Sequence, residues 1–182
     1  TTRSRIRGIA MAGNSQIIFV DTPGIFKPKR RLDRAMVHAA WQGTDEADVT
    51  LLLHDCARAT IDEDTHSIVK QIIKIKQEFP KRKFALILNK IDLTKPESLL
   101  GRAEELSQML EFEKVFMISA EKGKGIEDLV SWLANQMPQS PFLFDPEDLS
   151  DLPQRQLAAE ILREKLYLNL HQELPYQLTV ET

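Results

Sequence analysis

FALILNKID, residues 84–92, runs five apolar side chains without a break into a polar tetrapeptide. An apolar run without alternation suits a strand covered on both faces, as in a parallel sheet flanked by helices. The polar residues Asn89, Lys90 and Asp92 then fall where ligands of open α/β sheets gather, at the carboxyl end of a strand. Read alone, the same residues also fit a polar turn capped by Asp92.

Two more runs of this kind lie on either side, Val49 to His54 and Val115 to Ile118. Between the three runs the apolar spacing changes to a helical one. Ile68, Ile72, Ile75 and Phe79 share a face over 62–79, with Lys70, Lys74, Lys76 and Glu78 mostly outside. Leu100, Ala103, Leu106 and Leu110 do so over 97–111, and Ile126, Leu129, Val130, Leu133 and Met137 over 126–137. Upstream, Ile6–Ala12 and Ile17–Val20 flank Gly13-Asn14-Ser15 and predict a hairpin. The alternation of strand and helix over 17–137 predicts an α/β sheet with helices on both faces. Pro138-Gln139-Ser140-Pro141 and Asp145-Pro146-Glu147-Asp148 break any helix and read as a linker over 138–152. Residues 154–172 are again helical, with Leu157, Ile161, Leu162 and Leu166 on one side, and Tyr176–Thr182 alternates like a strand.

Composition narrows the class. With 42% hydrophobic and 28% charged residues the chain reads as globular, and a net charge of −3 gives no global sign of nucleic-acid binding. The single cysteine, Cys56, rules out an internal disulfide and fits a reducing compartment, where it reads as a small apolar filler. His38, His54, His66 and His171 show no zinc-type spacing, so no zinc site is expected. No apolar run approaches the roughly 20 residues of a membrane-spanning helix.

Three polar tetrads and pentads follow predicted strands. A carboxylate at Asp92 can accept two hydrogen bonds, from the ring N–H and the exocyclic amine of guanine, donors that adenine does not present in that geometry. Asn89 would brace the loop and the Lys90 stem would lie over a ring face. In Ser119-Ala120-Glu121-Lys122-Gly123, small side chains let a backbone N–H approach the base carbonyl. In Asp21-Thr22-Pro23-Gly24, Asp21 can hold magnesium through water and the Gly24 N–H can point at a terminal phosphate. Each stretch alone also reads as a turn. Their order and spacing, 68 residues from Asp21 to Asn89 and 30 from Asn89 to Ser119, allow all three to reach one edge of one sheet.

These motifs resemble those of the TrmE-Era-EngA-like family of translation-factor-related GTPases. Asp-Thr-Pro-Gly resembles the family's third motif, Asn-Lys-Ile-Asp its fourth and Ser-Ala its fifth. Thr1-Thr2-Arg3 resembles the second, in which one threonine, Thr1 or Thr2, reaches magnesium. The stretch LPQRQLAAEILREKLYLNLHQELPYQLTVET (152–182) resembles the junction of the Era-like branch with its C-terminal KH domain.

The resemblance implies a P-loop-type GTPase sheet over 1–137, a linker over 138–152 and the beginning of an α+β KH-type RNA-binding domain over 153–182. It implies guanine contacts from Asn89, Lys90, Asp92, Ser119 and Ala120. Asp21, Thr22, Pro23, Gly24 and Ile25 would meet the γ-phosphate, and Thr1, Thr2 and Asp21 would meet Mg2+, directly or through water. The implied substrate is GTP, with a monovalent cation as a further option. The implied role is a switch that binds small-subunit ribosomal RNA and assists 30S assembly. The expected location is the cytoplasm, with peripheral attachment at the inner membrane a further option. Alternatives are a related GTPase of tRNA modification or large-subunit assembly, or a non-hydrolysing interaction module.

The chain departs from the family pattern in three ways. No Gly-Lys-Ser or Gly-Lys-Thr occurs, so the first motif, the phosphate loop, is absent together with its strand. Residues 1–182 are therefore read as an N-terminally truncated fragment that hydrolyses GTP negligibly. No two glycines stand three apart, so the Gly-x-x-Gly loop of a KH domain is missing as well. Ile25 follows Gly24 where a water-orienting glutamine could stand, and no catalytic residue is assigned. Lys27, Lys29, Arg30, Arg31 and Arg34 read either as a solvated segment or as contacts to RNA phosphates.

Overall fold

The computed structural model describes residues 6–22, 47–58 and 60–169. The expectations for Thr1, Thr2, Pro23, Gly24, Ile25, Lys27, Lys29, Arg30, Arg31 and Arg34 fall outside these residues. So does the expected strand over 176–182.

Strands β1 (Ile6–Ala12) and β2 (Ser15–Asp21) form an antiparallel hairpin with Ala12 opposite Ser15. Gly13 supplies the positive φ (59°) that its two-residue turn requires. Strands β3 (Val49–Asp55), β4 (Lys83–Asn89) and β5 (Lys114–Met117) form a parallel sheet in the order β3-β4-β5. Helix α1 (Glu63–Glu78) connects β3 to β4, and α2 (Pro96–Met109) connects β4 to β5. Helix α3 (Ile126–Ala134) follows β5, and α4 (Gln154–Asn169) follows the segment over 138–152.

Alternation along β4 explains the layering. Phe84, Leu86 and Leu88 join Leu52, Val69, Ile72, Leu99 and Leu106 in one core, which α1 and α2 cover. Ala85 and Ile87 join Ile17, Phe116, Ile118, Leu129 and Leu133 in a second core, which α3 and the hairpin cover. Helices thus lie on both faces, as the uninterrupted apolar runs predict. The five central β4 residues are all buried, with Phe84, Leu86, Ile87 and Leu88 each contributing about 1.5–3 kcal/mol relative to exposure.

One expectation is corrected. The described residues form two sheets, a two-stranded one and a three-stranded one, so Asp21 does not share a sheet with Asn89 and Ser119. The reason is pairing: β2 pairs with β1 and β3 with β4, and no ladder joins β2 to β3.

The segment over 138–152 is hydrogen-bonded to the hairpin. Ile9 N–H donates to Leu149 O at 2.9 Å, Ser150 Oγ to Arg7 O at 2.7 Å, and Arg7 N–H to Asp151 Oδ1 at 3.2 Å. The Gln16 amide donates to Phe144 O and accepts from the Leu143 and Phe144 N–H groups, all within 2.9–3.1 Å.

Candidate functional site

Loops at the carboxyl ends of β4 and β5 meet through Asn89. Its side-chain Oδ1 accepts the Lys90 N–H at 2.8 Å and the Ala120 N–H at 3.0 Å, which links the two loops. Backbone bonds extend this link: Ile91 N–H donates to Ile118 O at 3.2 Å, and Ile118 N–H to Leu88 O at 2.8 Å. Asn89 braces the loop, as its place in the motif predicts.

Asp92 lies in a short 3-10 turn, Ile91–Leu93, with its side chain in solvent. It does not cap α2, whose N-cap is Lys95 without a side-chain bond. A hydrogen bond from the buried Ser119 side chain holds the Asp92 carboxyl below the usual carboxylate range, against a smaller opposing effect of burial. Asp92 is therefore ionised at neutral pH. That leaves an exposed, charged acceptor of the kind a pair of N–H donors requires.

Ser119 is itself held. Its N–H donates to Lys124 O at 3.0 Å and its Oγ accepts the Lys122 N–H at 3.3 Å, closing the loop over 119–125. Gly125 ends that loop at φ 75°, where a Cβ would stand 2.6 Å from Met117 O, so only glycine fits. In this structure the Ala120 N–H is directed at Asn89 Oδ1, and an arriving base carbonyl has to share it.

Lys90 is tied to the end of β3. It takes the left-handed conformation, φ 64° and ψ 38°, and its ammonium bonds Asp55 Oδ2 at 2.7 Å. Sequence reasoning missed Asp55, although Asp55 ends β3 as Asn89 ends β4 and the two are register partners. Burial pushes the Asp55 carboxyl up, but the bonds from Lys90 and the Ala57 N–H outweigh it and leave it below the usual range. Thr94 was missed too. Its Oγ1 donates to Cys56 O at 2.9 Å, tying the turn after Asp92 to the loop after β3.

Asp21 ends β2 at the surface and Thr22 follows it, half-buried. Among the described residues no cluster of three or more histidine, cysteine or acidic side chains forms a protein-only metal cage. Magnesium keeps most of its water and needs few protein ligands, taking the rest of its shell from phosphate.

Comparisons with known proteins agree with this arrangement. The family model described as "50S ribosome-binding GTPase" matches residues 1–90. GTPase Era of Dinoroseobacter shibae is 50% identical over 184 residues, covering all of this chain and 58% of the relative. GTPase Era of Afipia carboxidovorans is 52% identical over 182 residues, again covering all of this chain, and 57% of the relative. Among solved structures, Era in complex with MgGDPNP and nucleotides 1506–1542 of 16S ribosomal RNA has a TM-score of 0.83 and 35% identity. It covers 97% of this chain and 58% of its own. An Aquifex aeolicus Era variant bound to GDP.AlF4- has a TM-score of 0.80 and 34% identity over 96% of this chain and 58% of its own. The chain thus spans a little over half the length of the relatives it matches.

Proposed function

This chain belongs to the Era family of GTPases, and from that premise we propose that the intact protein is a GTP-binding and GTP-hydrolysing switch that binds small-subunit ribosomal RNA and assists 30S assembly. The observation that carries this reading is the joined loop pair. Asn89 ties Ala120 to Lys90, and the exposed, ionised Asp92 follows in the same loop. Such a slot offers a carboxylate to the two N–H donors of guanine and a backbone N–H to its carbonyl.

Asp21 is the residue that would meet Mg2+ in this chain, with Thr1 or Thr2, and the bound ion would neutralise phosphate charge. Asp21, Thr22, Pro23, Gly24 and Ile25 form the segment that would sense the γ-phosphate at the end of β2. The KH-type character of the part after residue 153 and a cytoplasmic location with optional peripheral membrane contact belong to the same proposal. RNA contacts from Lys27, Lys29, Arg30 and Arg31 do so as well. Support for the small subunit comes from the solved relative in complex with 16S ribosomal RNA, which is 35% identical to this chain. The phrase "50S ribosome-binding" in the family description favours large-subunit assembly instead, but that match covers only residues 1–90.

The test is Asp92→Asn in the full-length protein. An amide offers a donor where guanine also offers one, whereas xanthine carries a carbonyl there. GTP affinity should fall about 5- to 150-fold, the factor set by roughly 1–3 kcal/mol of base discrimination, and xanthosine triphosphate should bind better than GTP. Equal GTP affinity in the two proteins, read by fluorescence titration, would contradict the assignment of the slot.

A further inference from the structure

The loop after β3 has no assigned role in base binding, yet it is laced to the loop that does. Asp55 divides its carboxylate between two partners: Oδ1 accepts the Ala57 N–H at 3.0 Å and Oδ2 accepts the Lys90 ammonium at 2.7 Å. The Cys56 N–H donates to Asn89 O at 3.0 Å, and Thr94 Oγ1 bridges Cys56 O at 2.9 Å and Lys90 O at 3.3 Å. Among the described residues, Lys90 is the only non-glycine residue with positive φ. That conformation is unfavourable for a residue with a Cβ, so surrounding bonds have to hold it. Those bonds are the Asn89 Oδ1 to Lys90 N–H contact at one end and the ammonium to Asp55 contact at the other.

We propose that Asp55 is a positioning residue for base recognition: by anchoring the Lys90 ammonium at the end of β3, it fixes the four-carbon Lys90 stem as a wall of the base slot. This rests on reading residues 89–92 and 119–120 as that slot. An unanchored lysine stem has many rotamers and loses that freedom when a base lies against it. An anchored stem has lost it beforehand, so the base binds a prepared surface. The Ala57 bond to the other carboxylate oxygen fixes Asp55 in turn, so the anchor is backed by the backbone of the β3–α1 loop.

The experiment uses full-length protein and N-methylanthraniloyl-GDP as the probe. Asp55→Asn keeps an acceptor for the Ala57 N–H but removes the charge that holds Lys90. GDP release should become about two- to fivefold faster, the size expected for a half-exposed ion pair. KM for GTP should rise by the same factor, with kcat and the melting temperature of the nucleotide-free protein unchanged. In a Lys90→Met background, which keeps an apolar stem without the ammonium, Asp55→Asn should have no further effect. Asp55→Ser is the second variant and should show the same dependence on Lys90. Unchanged release in Asp55→Asn overturns the proposal. An equal acceleration in both backgrounds also overturns it, because a purely structural Asp55 would act without Lys90. If the full-length protein binds GDP and responds to Asp92→Asn but not to Asp55→Asn, only this inference falls. If it binds no guanine nucleotide, the proposed function falls with it.

Discussion

His54 lies on β3 with its side chain turned into the core beneath α1 and α2, and only 3% of it is exposed. Its Nε2 stands 3.3 Å from Arg102 Nη1, and Arg102 also donates to Arg58 O at 3.0 Å. Burial and then the Arg102 guanidinium hold the His54 pKa below the ordinary histidine value, with Asp62 and Asp55 acting weakly in the opposite sense and Arg58 adding to the lowering. A neutral His54 is therefore the folded form. The unfolded chain takes up this proton near pH 6.5, at a higher pH than the folded one does. Stability should then fall as pH drops from 7 toward 5, with a slope of at most about 1.4 kcal/mol per pH unit for one proton. His54→Gln keeps an acceptor for Arg102 and cannot titrate. Urea unfolding at pH 7, 6 and 5 should show that slope in the original protein and its loss in the variant. The same slope in both would place the titrating group elsewhere. None of this was legible in the sequence, where His54 reads as the end of an apolar run. Asp92 and Asn89 were legible because their spacing after a strand is itself the signal. Asp55 was not, since a single acid after a strand has no signature until the register shows Asn89 beside it.

At the scale of elements, α1 shows how local chemistry sets a boundary. Asp62 has extended backbone, φ −84° and ψ 167°, and its Oδ1 accepts the Thr65 N–H at 2.8 Å and the Thr65 hydroxyl at 2.7 Å. Glu63 and Asp64 follow in the first turn and Lys76 lies in the last, which complements the helix dipole. Asp62 also pairs with Arg58, four residues earlier. Asp62→Ala should cost about 1 kcal/mol, the usual value of an N-cap, with a matching loss of melting temperature. An unchanged melting temperature would mean that α1 is held by packing alone. The side-chain and backbone bonds from Thr65 keep the Asp62 carboxyl below the usual range, so this contribution is present at neutral pH and is lost only as pH falls through that lowered value. The helices themselves were readable from period alone, and their ends differ by a few residues. The pattern over 126–137 extends past Ala134, where α3 stops, because Met137 packs on the core from outside the helix. The gap between the two sheets was not readable, because apolar runs report burial and not which strand pairs with which.

At the scale of the molecule, the segment over 138–152 joins the parts. Its composition predicts a linker, and prolines do keep it out of helices, but Gln16, Arg7 and Ile9 bind it along the hairpin. Gln16 satisfies three backbone groups at Leu143 and Phe144 with one amide. Gln16→Leu should leave those groups without this partner. The expected outcome is faster hydrogen exchange at the Leu143 and Phe144 amides and faster proteolysis within 138–152, with β3, β4 and β5 exchanging as before. Equal exchange at residues 143 and 144 would show that Leu149, Ser150 and Asp151 suffice to hold the segment. There is a separate consequence of Leu149 and Ser150 lying against β1. The outer N–H groups of Arg7 and Ile9 are already occupied by Asp151 and Leu149, so at these two positions the hairpin rim offers no free donor to a second molecule. A bare strand rim invites pairing between chains and aggregation. Here the chain shields that rim with its own downstream backbone.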